Sequence, residues 1–411
     1  MSQFDVLIAG GGMVGASLAL ALSEHSVGEL KVALVEGFPL PESDAEPVYS
    51  PSFDARSTAL SYGSRRIYEA LGLWPLISRH ATPIRKIHVS DRGHFGSTTL
   101  LAEQAGWDAL GYVIENAWLG RVLLSRLQSA KGLTCISPAK VTAAKPGIDG
   151  VTLTVSGKDG EQSIHSRLLV VADGADSGLR ASLGIATKRR DYHQTGVIAN
   201  VCFEKAHEGC AYERFTDQGP LALLPLSDSE QGEARASLVW TLPPEEAERV
   251  MALDDADFCR QLQTRFGWRQ GMIRRVGERA AYPLALVEAE EQIRRHIVVM
   301  GNAAHSLHPV AGQGFNLALR DVNRLSRLLS DARSDTPLGD LALLKRYVDS
   351  QAADQWATVN FSDRVTRLFS NRQPLLSVAR NLGLLALDVL PPARSAFVAQ
   401  TAGTALGAAN R

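Results

Sequence analysis

Phe4-Asp5-Val6-Leu7-Ile8-Ala9-Gly10-Gly11-Gly12-Met13-Val14-Gly15 is the stretch that decides how this chain folds. Phe4 to Ala9 is a short, mostly apolar run that reads as a buried strand. Met13 to Leu22 carries small and apolar residues in the manner of a buried helix. Between them lies a GxGxxG turn. Gly10 allows the chain to reverse tightly, Gly12 lets a pyrophosphate approach the backbone, and Gly15 lets the helix pack closely on the strands. An anion there would meet free N–H groups at a helix N-terminus, where the dipole contributes roughly 0.3 to 2 kcal/mol. Lys31 to Val35 reads as a second buried strand, closing with Glu36. Glu36 follows the last glycine by about the 20 residues expected of an acid that accepts ribose hydroxyls. The opening is therefore a βαβ unit with a parallel sheet, built for a dinucleotide. The glycines alone do not separate NAD from FAD.

Two later segments carry that distinction. Leu168 to Ala172 is a buried strand running into Asp173-Gly174, after which Ser177 and Arg180 open a helix. Ile297 to Met300 is another buried strand, followed by Gly301-Asn302-Ala303-Ala304-His305 and His308-Pro309-Val310-Ala311-Gly312-Gln313-Gly314-Phe315-Asn316, a loop and glycine-rich helix start. Elsewhere, Thr58 to Leu71 and Ala117 to Leu127 read as helices, and Gly111 to Ile114 and Val151 to Val155 as strands. Gly37 to Phe53, with four prolines, reads as a long surface loop. From Gly196 to Trp240, alternating β-branched, aromatic and polar residues broken by turns predict an antiparallel sheet and a second domain. Leu341 to Arg411 is helical in propensity. Within it, Leu375 to Leu390 is too short and too charged for a membrane span and is expected to pack or to dock a partner.

Composition narrows the function classes. The 411 residues are 45% hydrophobic, enough for a substantial core. With 43 basic and 44 acidic residues and no like-charged block, no electrostatic footprint for nucleic acid is present. Cys135, Cys202, Cys210 and Cys259 lie far apart without metal-ligand spacing, so reduced thiols and no metal are expected. No signal peptide or membrane span is evident, and a cytoplasmic protein is expected.

Taken together, these motifs resemble the single-component flavoprotein hydroxylases of aromatic rings, relatives of para-hydroxybenzoate hydroxylase. That family shows an N-terminal GxGxxG, a DG motif, and a GD motif followed by a proline and a glycine-rich turn. The third mark departs here by one residue, Asn302 for Asp. Asp54-Ala55-Arg56-Ser57-Thr58-Ala59-Leu60, His207-Glu208-Gly209, Glu213-Arg214-Phe215, Gly219-Pro220-Leu221-Ala222, Gly301-Asn302-Ala303-Ala304 and Arg380-Asn381-Leu382-Gly383-Leu384 resemble the polyprenyl-methoxyphenol hydroxylases of ubiquinone biosynthesis.

The resemblance implies an α/β fold. A Rossmann-like FAD-binding domain with a parallel sheet would be assembled from residues 1–84, 111–186 and 285–340. A substrate domain with a largely antiparallel sheet would come from 85–110 and 187–284, with a helical region over 341–411. It further implies that Gly10, Gly12, Gly15, Glu36, Arg56, Arg121, Asp173, Gly174, Gly301, Asn302, Gly312, Gly314 and Asn316 serve FAD, and that Pro309 walls the place where oxygen reacts. At Asn302 a ribityl hydroxyl would keep an acceptor but lose charge assistance, weakening the contact by about 1 kcal/mol. His308 and His305 invite a catalytic role, but the flavin itself delivers the oxygen, and loop histidines satisfied by backbone are expected. Tyr212 and Arg214 are candidates to polarise a phenol, with sheet packing expected of Tyr212.

The expected activity is a monooxygenase that uses NADPH or NADH and O2 to hydroxylate a polyprenylated phenol. Competing readings are a flavin-dependent reductase of isoprenoid double bonds, a plain NAD-dependent dehydrogenase, and a largely structural member of a ubiquinone-biosynthesis complex. Other proteins of that pathway, or a peripheral contact with the inner face of the membrane, are the expected means of delivering the lipid substrate.

Overall fold

The computed structural model describes residues 2–40, 56–93, 96–229, 232–308, 312–332, 336–369 and 391–403. Its organising element is the strand Ser2–Ala9, whose Val6, Leu7 and Ile8 are wholly buried. That strand lies between two parallel neighbours, Gly160–Val171 and Val32–Val35, with Ile8 in register with Val170 and Leu34. Ile297–Val299 and Leu133–Ile136 extend the parallel order on either side. A continuous apolar run is what a strand covered on both faces requires. Val6 and Ile8 pack with the helices Met13–His25, Asn116–Leu127 and Gln313–Ser330, whereas Leu7 and Ala9 face Val151, Leu153 and Val155 of an antiparallel hairpin.

The helix Met13–His25 is buried continuously from Gly15 to Leu22. Its one internal polar side chain, Ser17, meets the hydroxyl of fully buried Tyr68 at 2.9 Å. Tyr68→Phe strands the Ser17 hydroxyl in an apolar core and is expected to cost about 1 to 3 kcal/mol in denaturant unfolding.

The predicted helix from Thr58 to Leu71 is corrected by the structure. Ser57–Ser61 is a strand, and the helix is Tyr62–Ala70, with the Ser61 hydroxyl accepting the Ser64 N–H at 3.2 Å as its cap. Thr58 and Ala59 are drawn into β structure by Gly111–Glu115, which pairs with Ser57–Ser61 on one side and Ala81–Ile84 on the other. Gly111 thus belongs to a separate three-stranded sheet. A Cβ on it would stand 2.5 Å from the Leu60 carbonyl oxygen.

The second large sheet has eight strands, dominated by Thr187–Phe203 and Ile273–Ala289. Lys86–Asp91 and Ser97–Leu101 join its edge through a parallel pairing with Cys210–Thr216. One face packs Leu221, Leu238 and Trp240 against Phe258 and Phe266 of the helix Asp255–Phe266. The other face is turned toward the first sheet's domain.

Among the described residues, two C-terminal helices close the structure, Leu341–Phe369 and Pro391–Thr401. The first is fixed to Gln313–Ser330 by a buried ion pair: Arg320 donates to Asp354 at 2.7 and 3.1 Å and to the Thr358 hydroxyl at 3.1 Å. The second packs Val398 against Leu100 and Leu110. The apolar stretch from Leu375 to Leu390 lies outside the described residues. Among the described residues, no helix is long and apolar enough to cross a membrane.

Candidate flavin site and substrate cavity

Three chain segments meet at the carboxyl ends of adjacent parallel strands. Gly10 has φ +107°, and a Cβ there would lie 2.5 Å from the Ala172 carbonyl oxygen and 2.9 Å from the Asp173 Cα. Gly301, at φ +63°, sits on the Val14 side chain, to which a Cβ would come within 3.1 Å. The glycine turn, the DG segment and the Gly301 segment are therefore in mutual contact at the edge where open α/β sheets bind ligands.

Carboxylates and helix N-termini gather at this edge. Gly12 is the N-cap of Met13–His25, with no side-chain cap and no acid in the first turn. The Glu36 carboxylate accepts the Gly11 N–H at 2.6 Å and the Phe38 N–H at 2.9 Å, which holds it over the glycine turn. Asp173 is exposed and accepts the Leu179 N–H at 3.4 Å; Gly174, at φ +102°, has open space where a side chain would stand. Gly312, at φ +59°, caps Gln313–Ser330 without a side-chain bond, and a Cβ on Gly314 would have only Leu307 near it, at 3.9 Å. Two helix N-termini without side-chain caps and the open space beside Gly174 and Gly314 fit the pyrophosphate and ring of a flavin dinucleotide.

Other predicted site residues take distinct places. Asn302 is exposed on the wall of a cavity of about 630 Å³. Arg56 lines the same wall, its guanidinium 4.9 Å from the centre of the Tyr282 ring. Arg121 lies over Trp118 at 5.8 Å and is not among the cavity's described lining residues. Asn316 is buried, and its amide is fully engaged by protein: Oδ1 accepts from Ser61 N–H at 2.8 Å and Ser64 hydroxyl at 2.7 Å, while Nδ2 donates to the Ala59 and Gly312 carbonyls at 2.8 and 2.6 Å. Its side chain thus braces the helix start against Ser57–Ser61 and leaves no amide group for a ligand. Pro309 lies outside the described residues.

His305 and His308 differ from expectation in different ways. His305 pairs with a carboxylate, not with backbone, its Nε2 lying 3.0 Å from Asp321 Oδ2, while its buried Nδ1 meets no partner among the described residues. His308 is 1% exposed, lies edge-on to Tyr192 at 5.2 Å and lines the cavity. Burial pushes its pKa down to about 4, so the imidazole is neutral at pH 7. Because an unfolded histidine takes a proton near 6.5 and the folded one near 4, stability falls as pH drops through that window. Relative to wild type, His308→Gln is expected to lose about 2 kcal/mol less stability between pH 7 and pH 5, measured by urea unfolding.

Arg180 was legible only as part of a helix start. It is buried, and its guanidinium donates to the Ala303 carbonyl at 2.7 Å and the Ala175 carbonyl at 3.1 Å, tying the DG loop to the Gly301 loop.

The opposite cavity wall is the free face of the antiparallel sheet, including Ile87, Val89, Leu100, Phe215 and Leu224. Phe361, Phe397 and Val398 of the C-terminal helices complete it. Tyr212 and Arg214 serve the other face. The Tyr212 ring packs edge-on to Phe266 at 5.2 Å and its hydroxyl meets Gln270, while Arg214 donates to the Arg265 carbonyl at 3.1 Å. Glu213, between them, faces the cavity. Burial raises its carboxyl pKa to about 7. The signal for Glu213 lay in strand alternation, since Ala211 and Phe215 mark the apolar face it shares.

The fold and site define a flavoprotein in which a dinucleotide-binding edge opens onto an apolar cavity. The chain belongs to the FAD binding domain family, which matches residues 3–362. It is 36% identical over 404 residues to the ubiquinone hydroxylase UbiL of Rhodospirillum rubrum, covering 97% of this chain and 90% of that one. It is 31% identical over 386 residues to the 3-demethoxyubiquinol 3-hydroxylase of Escherichia coli, covering 93% and 94%. The crystal structure of p-nitrophenol 4-monooxygenase PnpA from Pseudomonas putida shares the fold with a TM-score of 0.76 at 18% identity, covering 98% of this chain and 99% of that one. The protein is an FAD-dependent monooxygenase.

Proposed function

We propose that the enzyme hydroxylates the aromatic ring of a polyprenylated methoxyphenol in ubiquinone biosynthesis, with NADPH or NADH and O2 as co-substrates. The observation that carries this reading is the apolar cavity between the flavin edge and the free sheet face. It offers a ring a dry place beside the cofactor and an apolar tail a matching wall. When bound, FAD takes up reducing equivalents from the nicotinamide nucleotide and activates oxygen. The chain's own work is holding and shielding. The Gly12 turn and Glu36 take the pyrophosphate and ribose; Arg56, Asp173 and Asn302 supply polar contacts; Gly312 and Gly314 bring backbone N–H groups to the ring, where they favour negative charge. The C-terminal helices and the sheet exclude water, without which activated oxygen is lost as peroxide. Delivery of a membrane-resident substrate falls to partner proteins of the pathway or to peripheral membrane contact.

The test is turnover of a short-chain prenylated methoxyphenol by FAD-loaded protein with NADPH or NADH, followed by mass spectrometry. Gain of one oxygen in the ring supports the reading. A product reduced at the prenyl double bond without oxygen uptake would replace it with the reductase alternative.

A further inference from the structure

In the cavity-facing row of the antiparallel sheet, Thr98, Val89, Glu213, Ala222, Val239 and Ile198 stand in register on six neighbouring strands. All six line the cavity, and Glu213 is the one ionisable side chain among them. Its immediate neighbours in the row are Val89 and Ala222, neither of which can hydrogen-bond a carboxylate through its side chain. Among the described residues, no cation or hydrogen-bond donor engages it. The other titratable groups around it are engaged elsewhere or stand on other walls. Asp91 sits beside Phe215 on the adjacent strand, Tyr212 and Arg214 belong to the sheet's other face, and Arg56 and His308 line the cavity's flavin-side wall. A lone acid in an apolar wall is costly to the fold unless a ligand supplies its donor. Leucine would pack there without penalty.

We propose that Glu213 is the catalytic residue that receives the substrate's phenol hydroxyl: the carboxylate accepts the O–H, takes its proton as the ring is oxygenated, and later returns it. This rests on the reading that the substrate is a phenol. The proton passes from phenol oxygen to carboxylate, and the oxygen's electron density flows into the ring. One atom of O2 then forms the new C–O bond, and the displaced ring hydrogen leaves as a proton, restoring aromaticity. The other oxygen atom leaves as water, with two electrons supplied by NADPH or NADH. Glu213 gives its proton back to the first phenol oxygen. A base held near neutrality can serve both directions at physiological pH. Burial has moved this carboxyl to that range.

The test uses the full-length, FAD-loaded enzyme and Glu213→Gln, with Glu213→Leu as the second variant. E213L is expected to unfold at a higher temperature than wild type at pH 8, where the unfolded acid is ionised and the folded one is penalised; the gain shrinks as pH falls through about 7 and vanishes only below the unfolded value of 4.5, where both states are protonated. The first readout needs no turnover. 2-Methoxy-4-nitrophenol, bound to the oxidised enzyme, is titrated by its phenolate absorption. Hydrogen bonding to Glu213 retains the phenol proton, so the bound probe should ionise at a pH about one unit higher in wild type than in E213Q, a tenfold shift in its equilibrium. The second readout is hydroxylation of a short-chain prenylated methoxyphenol. kcat is expected to fall by about 100-fold in E213Q and E213L, with flavin content unchanged and NADPH oxidation diverted to peroxide. Equal titration and equal kcat in wild type and variants would overturn the role of Glu213 while leaving the phenol reading intact. Failure of the wild type to bind either phenol would overturn both.

Discussion

Gly10→Ala is expected to yield a protein that retains little or no flavin and is destabilised by about 2 to 4 kcal/mol. Two effects add at this position. The backbone is held at φ +107°, a region that side chains rarely adopt, and the new methyl would stand 2.5 Å from the Ala172 carbonyl oxygen. Relief requires the first glycine turn to move away from the DG segment, and that contact is what aligns two of the three loops at the flavin edge. Gly174→Ala is the informative comparison. Its φ of +102° carries a similar conformational cost, but its surroundings are open. It should cost about 1 to 3 kcal/mol of backbone strain without forcing those loops apart. Flavin absorbance per chain and thermal melting of both variants separate strain from collision. Equal flavin content in the two would contradict the contact as the deciding factor.

Asp354→Ala is expected to destabilise the protein by about 3 to 5 kcal/mol, among the larger losses a single exposed-to-buried charge imbalance produces. Asp354 accepts two bonds from Arg320 and lies 2.9 Å from Arg324, and both Arg320 and Asp354 are buried. Burial raises the Asp354 pKa, but the hydrogen bonds and charges of Arg320 and Arg324 outweigh it and hold the carboxyl below its usual range. The stabilisation is therefore present above the unfolded pKa and lost as pH falls through the folded one. Removal of the carboxylate leaves the buried Arg320 guanidinium without its counter-ion, whereas Arg324 keeps Asp321 at 3.7 Å. The damage should reach the site, because Arg320 lies on the helix that begins at Gly312 and Asp354 on the helix whose Phe361 lines the cavity. Urea unfolding measures the loss. The double variant Arg320→Met, Asp354→Leu should recover most of it, because an apolar pair of similar size avoids the desolvation cost.

Much of the flavin domain was legible because its signals are local. A glycine turn between a strand and a helix, an acid one strand later, and a second strand ending in Asp-Gly depend on backbone chemistry within a few residues. The cavity was less legible because its wall is assembled from residues distant in sequence. Ser57–Ser61 carries a helical pattern in isolation, and becomes a strand only because Gly111–Glu115 is there to pair with it. Asn316 reads as part of a cofactor loop, yet all but one of the groups that occupy its amide come from a segment some 255 positions away. Attention to Tyr212 and Arg214 followed residue chemistry alone. Strand alternation, a period of two, places both on the far face and Glu213 in the cavity. The carbonyl contacts of Arg180 and the ion pair of Arg320 have no sequence signature, since an arginine on a helix is ordinarily a surface residue.

In the proposed function, three glycine-lined segments together hold one flavin beside a cavity that receives a phenol. Spectrophotometric titration of the purified protein with FAD, followed by addition of a short-chain prenylated methoxyphenol, tests it most directly. Saturation at one FAD per chain, with a further change in the flavin spectrum when the phenol enters, is the predicted result. A folded protein that stays colourless in excess FAD, or a bound flavin whose spectrum ignores the phenol at every concentration, would contradict it.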